Sequence, residues 1–125
     1  MSDSKPFDPI SIGNYQIKFE GIELPDAVVG ITEVIVMPDG SLQPLCFNFC
    51  SEKGSKTESK LLEAVKQNEK FTTRIATFNV EGDVENTFIL TDCSIEQLVF
   101  APHDATSNEA AIHQLIVKPE KVNIE

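Results

Sequence analysis

His103 and His113, with Cys46, Cys50 and Cys93, are the side chains of this sequence best suited to nucleophilic, acid–base or metal chemistry near neutral pH. His103 falls in a loop beside Pro102 and His113 in a strand-like run, and neither has a Ser, Cys or Asp at the spacing of a nucleophile elbow or a triad motif. Cys46 and Cys50 are four positions apart on a predicted strand, which puts them on one face but about 13 Å apart, too far to share a metal ion. The odd cysteine count, set in apolar strand patterns, argues against a disulfide framework and for reduced, buried thiols in a cytosolic protein. The glycines are too separated to cradle a phosphate, and Asp39-Gly40 lacks the alternating oxygen ligands of a calcium loop. The sequence therefore predicts no catalytic residue, no cofactor, no metal and no enzyme activity.

Ten basic against twenty acidic residues give a net charge of −10, and Arg74 is the single arginine. Binding a polyanion needs clustered Lys and Arg to neutralise phosphates, so nucleic-acid binding is not expected. No apolar run approaches the ~20 residues that span a bilayer, and the start MSDSKPFDP has no signal-peptide apolar region, so no membrane or export role is expected. At 125 residues the chain has the size of one domain with a substantial core.

The elements that would carry any site centre on residues 55–100. Ser55 followed by Glu58 has capping-box spacing and predicts a helix from near Lys56, with Leu61, Leu62 and Val65 as its buried stripe and Lys60, Glu63, Lys66 and Gln67 in water. A helix of about three turns is marginal alone, so it must pack on a sheet. Residues 1–13, with Pro6, Pro9 and Gly13, read as an N-terminal arm, and residues 14–125 as a single β domain. Tyr15, Ile17 and Phe19 alternate with Gln16, Lys18 and Glu20 as a half-buried strand. Ala27–Met37 reads as a second strand buried on both faces over part of its length. Met37-Pro38-Asp39-Gly40 is a turn, and Leu42–Cys50 a third strand with Leu45, Phe47 and Phe49 on one face. Phe71–Val80, the turn Glu81-Gly82-Asp83 and Val84–Thr91 follow; Cys93–Phe100 either continues that strand past a bend or stands apart. After the polar loop Pro102–Glu109, Ala111–Lys118 and Val122–Ile124 flank Pro119, which suits an edge. The expectation is a mainly β, α+β domain: a small β-barrel or sandwich of six to eight mostly antiparallel strands with one short flanking helix.

This order of elements resembles the tube proteins of contractile injection machines, the phage tail tube proteins and the haemolysin-coregulated protein of the type VI secretion tube. The resemblance rests on Phe47-Asn48-Phe49, the helix segment Ser59-Lys60-Leu61-Leu62-Glu63-Ala64, the knuckle Asn68-Glu69-Lys70, the strand Phe71–Val80 and the closing Phe88-Ile89-Leu90-Thr91-Asp92. It extends over roughly Tyr15 to Ile124. The turn at Pro38 to Pro44 is short where many relatives carry a long inter-ring loop. The resemblance implies a subunit of hexameric rings stacked into the inner tube of a contractile tail, in a virion or the bacterial cytoplasm. It also implies sheath and baseplate partners, and DNA or an effector passing through the lumen without tight binding. An acidic chain with one arginine suits the wall of such a conduit.

Apolar residues on the terminal segments and the hairpin, Phe7, Ile10, Ile12, Met37, Leu42, Leu45, Val117, Val122 and Ile124, are the candidate subunit interface. Like-charge repulsion between subunits predicts assembly that eases as salt rises. The alternatives are an adaptor or baseplate protein of the same fold that caps the tube, and a small-ligand-binding β-barrel.

Overall fold

The computed structural model describes residues 10–12, 15–26, 28–51, 56–101 and 111–125, with Ile10–Ile12 described by backbone alone. Along the chain these form β1 (Ile10–Ile12), β2 (Tyr15–Glu20), β3 (Val28–Ile31), β4 (Leu45–Ser51), α1 (Thr57–Gln67), β5 (Phe71–Phe78), β6 (Val84–Val99), β7 (Ala111–Lys118) and β8 (Lys121–Ile124). All pairings are antiparallel, in the order β1-β2-β5-β6-β7-β4-β3 with β8 also on β6. Among the described residues the fold is mainly β with one helix, as the sequence predicts.

Strand β6 joins the two halves of the sheet. Val84–Thr91 lies between β5 and β8, and Ser94–Val99 pairs with β7. Between them Asp92 takes a left-handed conformation, φ 54°, which a short polar side chain tolerates and which bends the strand. Cys93–Phe100 thus continues the strand through Val99. The bend curls the sheet until β1 and β3, at the two ends of the path, come into contact. Alternate residues point inward on β2, β4, β5 and β7: Ile17 and Phe19, Leu45, Phe47 and Phe49, Phe71 and Ile75, Leu115 and Val117. Phe19 meets Phe47 and Phe71 edge-on, at ring distances of 5.2 and 6.2 Å, and so ties the two halves together.

The helix differs from its sequence reading in two ways. Its first residue is Thr57, Lys56 caps it without a side-chain bond, and Glu58 turns inward instead of back along the chain; Ser55 lies outside the described residues. The buried stripe is Thr57, Leu61 and Ala64, with Val65 half-buried, while Leu62 is 42% exposed. Positions 57, 61 and 64 nearly superpose on a 3.6-residue turn, whereas Leu62 stands about 100° from Leu61. Leu61 shares a core cluster with Phe71 of β5, so the helix packs on the sheet as expected. Asn68, φ 50°, ends the helix by donating its N–H to the Ala64 carbonyl at 3.4 Å.

The second and third strands are shorter than predicted. β3 pairs only with β4, through a bulge after Val28, and leaves Val29 half exposed where burial on both faces was expected. Leu42 falls outside β4 and bridges Val36 across the hairpin. The turn itself forms as expected: Gly40 takes φ 89°, its N–H reaches the Met37 carbonyl at 2.8 Å, and Asp39 Oδ1 accepts the Ser41 N–H at 2.9 Å. Pro119 is buried at the step from β7 to β8, where no ladder donor is required of it, and not at an exposed edge. Part of the expected arm, Ile10–Ile12, pairs with β2 of its own chain, while residues 1–9 and the loop 102–110 with His103 lie outside the described residues.

Candidate assembly surface

Of the chemistry-bearing residues, His113 lies at the junction of α1 with the sheet. His113 alternates with Leu115 and Val117 and therefore points inward, fully buried, with the Phe100 ring edge-on at 5.1 Å. Its Nδ1 accepts the Ala101 N–H at 3.0 Å, and its Nε2 lies 3.4 Å from Glu58 Oε2. The other Glu58 oxygen accepts a hydrogen bond from Ser51 Oγ at 2.9 Å. The accepting ring nitrogen is thus occupied by a backbone amide, which places the imidazole proton on Nε2, toward the carboxylate. Triad chemistry needs the opposite order, with the imidazole accepting the hydroxyl proton. These groups instead fasten the first turn of the helix to β4 and β7.

The cysteines are free. Cys93 is buried, with Thr73 Oγ1 donating to its sulfur at 3.7 Å, while Cys46 and Cys50 are half-buried on the outward side of β4. Burial pushes the Cys93 and Cys46 thiols up, away from the reactive thiolate. Among the described residues, no group of three His, Cys, Asp or Glu is placed to hold a metal ion, and no helix is long and apolar enough to cross a membrane.

The outward side of β2 and β5 is polar. Arg74 Nε donates to Glu20 Oε1 at 2.7 Å, and Lys18 Nζ lies 3.5 Å from Glu20 Oε2. The Arg74 hydrogen bond holds the Glu20 carboxyl below the usual glutamate range. The one arginine is therefore already paired.

A different surface closes the end of the molecule where β5 and β8 finish and β2 and β6 begin. Here Tyr15, Val84 and Ile124 are exposed, and Val80, in the turn after β5, is 98% exposed. The turn is rigid all the same: Asn79 Oδ1 accepts both the Glu81 and the Asp83 N–H at 3.0 Å, and Gly82 takes φ 87°. The chain leaving β3 crosses this end, with Thr32, Glu33 and Val34 lining a cavity of about 240 Å³ beside Tyr15, Thr77 and Phe88, and continues into the hairpin that exposes Ile35, Val36 and Met37.

No protein-family model matches this sequence, and a search of the curated proteins finds no match. The solved structures do match. The tube-terminating cap of the anti-feeding prophage superposes with a TM-score of 0.62 at 17% identity, over 99% of this chain and 95% of that one. The chain has the tail-tube fold. The sheath/tube terminator of PVC, an extracellular contractile injection system, gives 0.62 at 15% identity over 94% and 96% of the two chains. Hcp1 from Flavobacterium johnsoniae gives 0.52 at 12% identity over 94% of each.

Within this tail-tube fold the expected interface residues separate. Met37 and Ile124 lie on the exposed end, and Val122 is half-buried against the core. Leu42, Leu45 and Val117 are buried within their own chain, Leu45 and Val117 facing each other in register between β4 and β7, and are not open to a partner. Ile10 and Ile12 lie in β1 and Phe7 outside the described residues. Sequence reasoning missed Tyr15, Ile35, Val36, Val80 and Val84. Val80 carried a signal: it occupies a turn position where Gly, Asn, Asp and Ser usually stand. The inward cluster at His113 also had one, since His113 shares the parity of Leu115 and Val117.

Proposed function

We propose that this chain is a structural subunit that assembles into hexameric rings stacked as the inner tube of a contractile injection machine, a conduit for DNA or protein cargo in a virion tail or bacterial cytoplasm. The observation that carries this reading is the likeness to a tube-terminating cap over 99% of the chain, leaving no further domain to supply another activity within these residues. The apolar end described above supplies a contact surface, and the polar outward side of β2 and β5, with Arg74 held by Glu20, suits a water-filled lumen that lets polyanions pass. Sheath and baseplate proteins are the outer partners in this reading, and the role is not enzymatic. A ligand-binding barrel is less well supported, because fully buried side chains such as Ile17, Phe47, Phe49, Leu90 and Leu115 fill the space between the strands.

A second reading is favoured by two observations: both neighbours with a TM-score of 0.62 are terminator proteins, and the hairpin turn is short, closed by Met37–Ser41 bonding. In it the chain forms one ring that caps or adapts a tube. Negative-stain microscopy of the purified protein tests both. Rings stacked into tubes support the tube subunit, single rings support the cap, and a field of separate small monomers overturns both.

A further inference from the structure

We propose that the acidic, apolar end of one copy docks on the outer face of α1 in a second copy, a contact that rests on the assembly reading above. The apolar side chains Val36, Met37, Val80 and Val84 are exposed at this end, and the carboxylates beside them are Asp39, Glu81, Asp83 and Glu85. The hairpin 35–43 and the turn 79–86 contain no lysine or arginine. The outer face of α1 has the complementary composition. Lys56, Lys60 and Lys66 are exposed along it, Lys66 one turn on from a 42% exposed Leu62 and Lys56 and Lys60 on the flank beyond Glu63, and of the two glutamates on the helix Glu58 is engaged by Ser51, leaving Glu63 in water.

The two surfaces belong to different copies because of where β5 puts them. α1 leads through residues 68–70 into Phe71, the first residue of β5, while the turn with Val80 follows its last residue, Phe78. Eight residues of strand separate them by about 26 Å at ~3.3 Å per residue. Two acidic ends facing each other would bring like charges together, and so would two α1 faces. The arrangement that pairs unlike charges joins an acidic end to an α1 face, a heterologous contact that leaves a free surface at each side and propagates as an open stack. The lysine stems cover apolar surface while their ammonium groups reach the carboxylates, with Leu62 meeting the Val and Met side chains. Such a contact weakens as salt rises, because screening shortens the reach of the attraction to about 8 Å at 0.15 M. That is the reverse of the salt dependence predicted from net charge.

A charge swap tests it. One variant carries Glu81→Lys, Asp83→Lys and Glu85→Lys, the other Lys56→Glu, Lys60→Glu and Lys66→Glu; all six positions are solvent-facing, and circular dichroism verifies the fold. Sedimentation velocity at low and high salt reads association. Each variant alone is expected to associate at least about tenfold more weakly than the wild type, the mixture to recover it, and wild-type association to fall with salt. Wild-type rings that both variants stack normally, or stacking that strengthens with salt, overturn this contact and leave the assembly reading standing. A wild-type chain that stays monomeric overturns the assembly reading and the contact with it.

Discussion

Under α1 the molecule keeps polar groups inside, and beyond the far end of β5 it keeps apolar groups outside. Ser51, Glu58 and His113 sit at the junction of helix and sheet, where Glu58 accepts from Ser51 and lies 3.4 Å from the buried His113 Nε2, whereas Val36, Val80 and Val84 face water. Buried polar groups are stable only with partners, and the exposed apolar groups are what the proposed assembly would cover. The first region holds the fold together and the second, on the proposed assembly, makes contact, so substitutions in the two should separate stability from assembly.

The largest loss of stability is expected from Leu61→Ala, about 2–5 kcal/mol for a fully buried leucine, against less than about 0.5 kcal/mol for Leu62→Ala one position along; urea denaturation of both measures the difference. Glu58→Ala should cost about 1–3 kcal/mol by removing the acceptor of the Ser51 hydroxyl and the carboxylate facing His113, with Glu58→Gln closer to wild type in the same experiment.

The Glu20–Arg74 pair is partly exposed, so Glu20→Gln should cost less than about 1 kcal/mol. Its pH dependence has a definite sign. Glu20 binds its proton less readily folded than unfolded, so its contribution is present above the ordinary value of 4.5 and is lost as pH falls through the lowered folded value; thermal melts of wild type and Glu20→Gln should converge there. Smallest in stability is the pair Met37→Asp and Val80→Asp, within about 0.5 kcal/mol at exposed sites, yet this pair should reduce assembly by size-exclusion chromatography. A large drop in melting temperature for the pair, or none for Leu61→Ala, would erase the contrast between the regions.

Much of the fold was legible because burial in a sheet follows a two-residue period. Leu45, Phe47 and Phe49 declared their inward face, and Pro38-Asp39-Gly40 and Glu81-Gly82-Asp83 their turns, through local backbone preference alone. The helix stripe was harder: Leu61 and Leu62 are adjacent, and only the sheet beneath decides which faces inward. The sequence could not say that Ala64 and Thr57 would fill that contact. Leu42, Leu45 and Val117 looked like interface because they flank a hairpin and a terminal strand, but Leu42 is buried within the hairpin, and β4 and β7 lie in the interior of the sheet order, where Leu45 and Val117 pack within the chain. The bend at Asp92 depends on which strands claim each half of β6, information held in distant residues.

The assembly claim is tested most directly by sedimentation velocity of the unaltered protein across a concentration series. The account predicts a boundary at or above six times the 13.8 kDa chain mass, consistent with closed rings. A single boundary at 13.8 kDa at every concentration would contradict it.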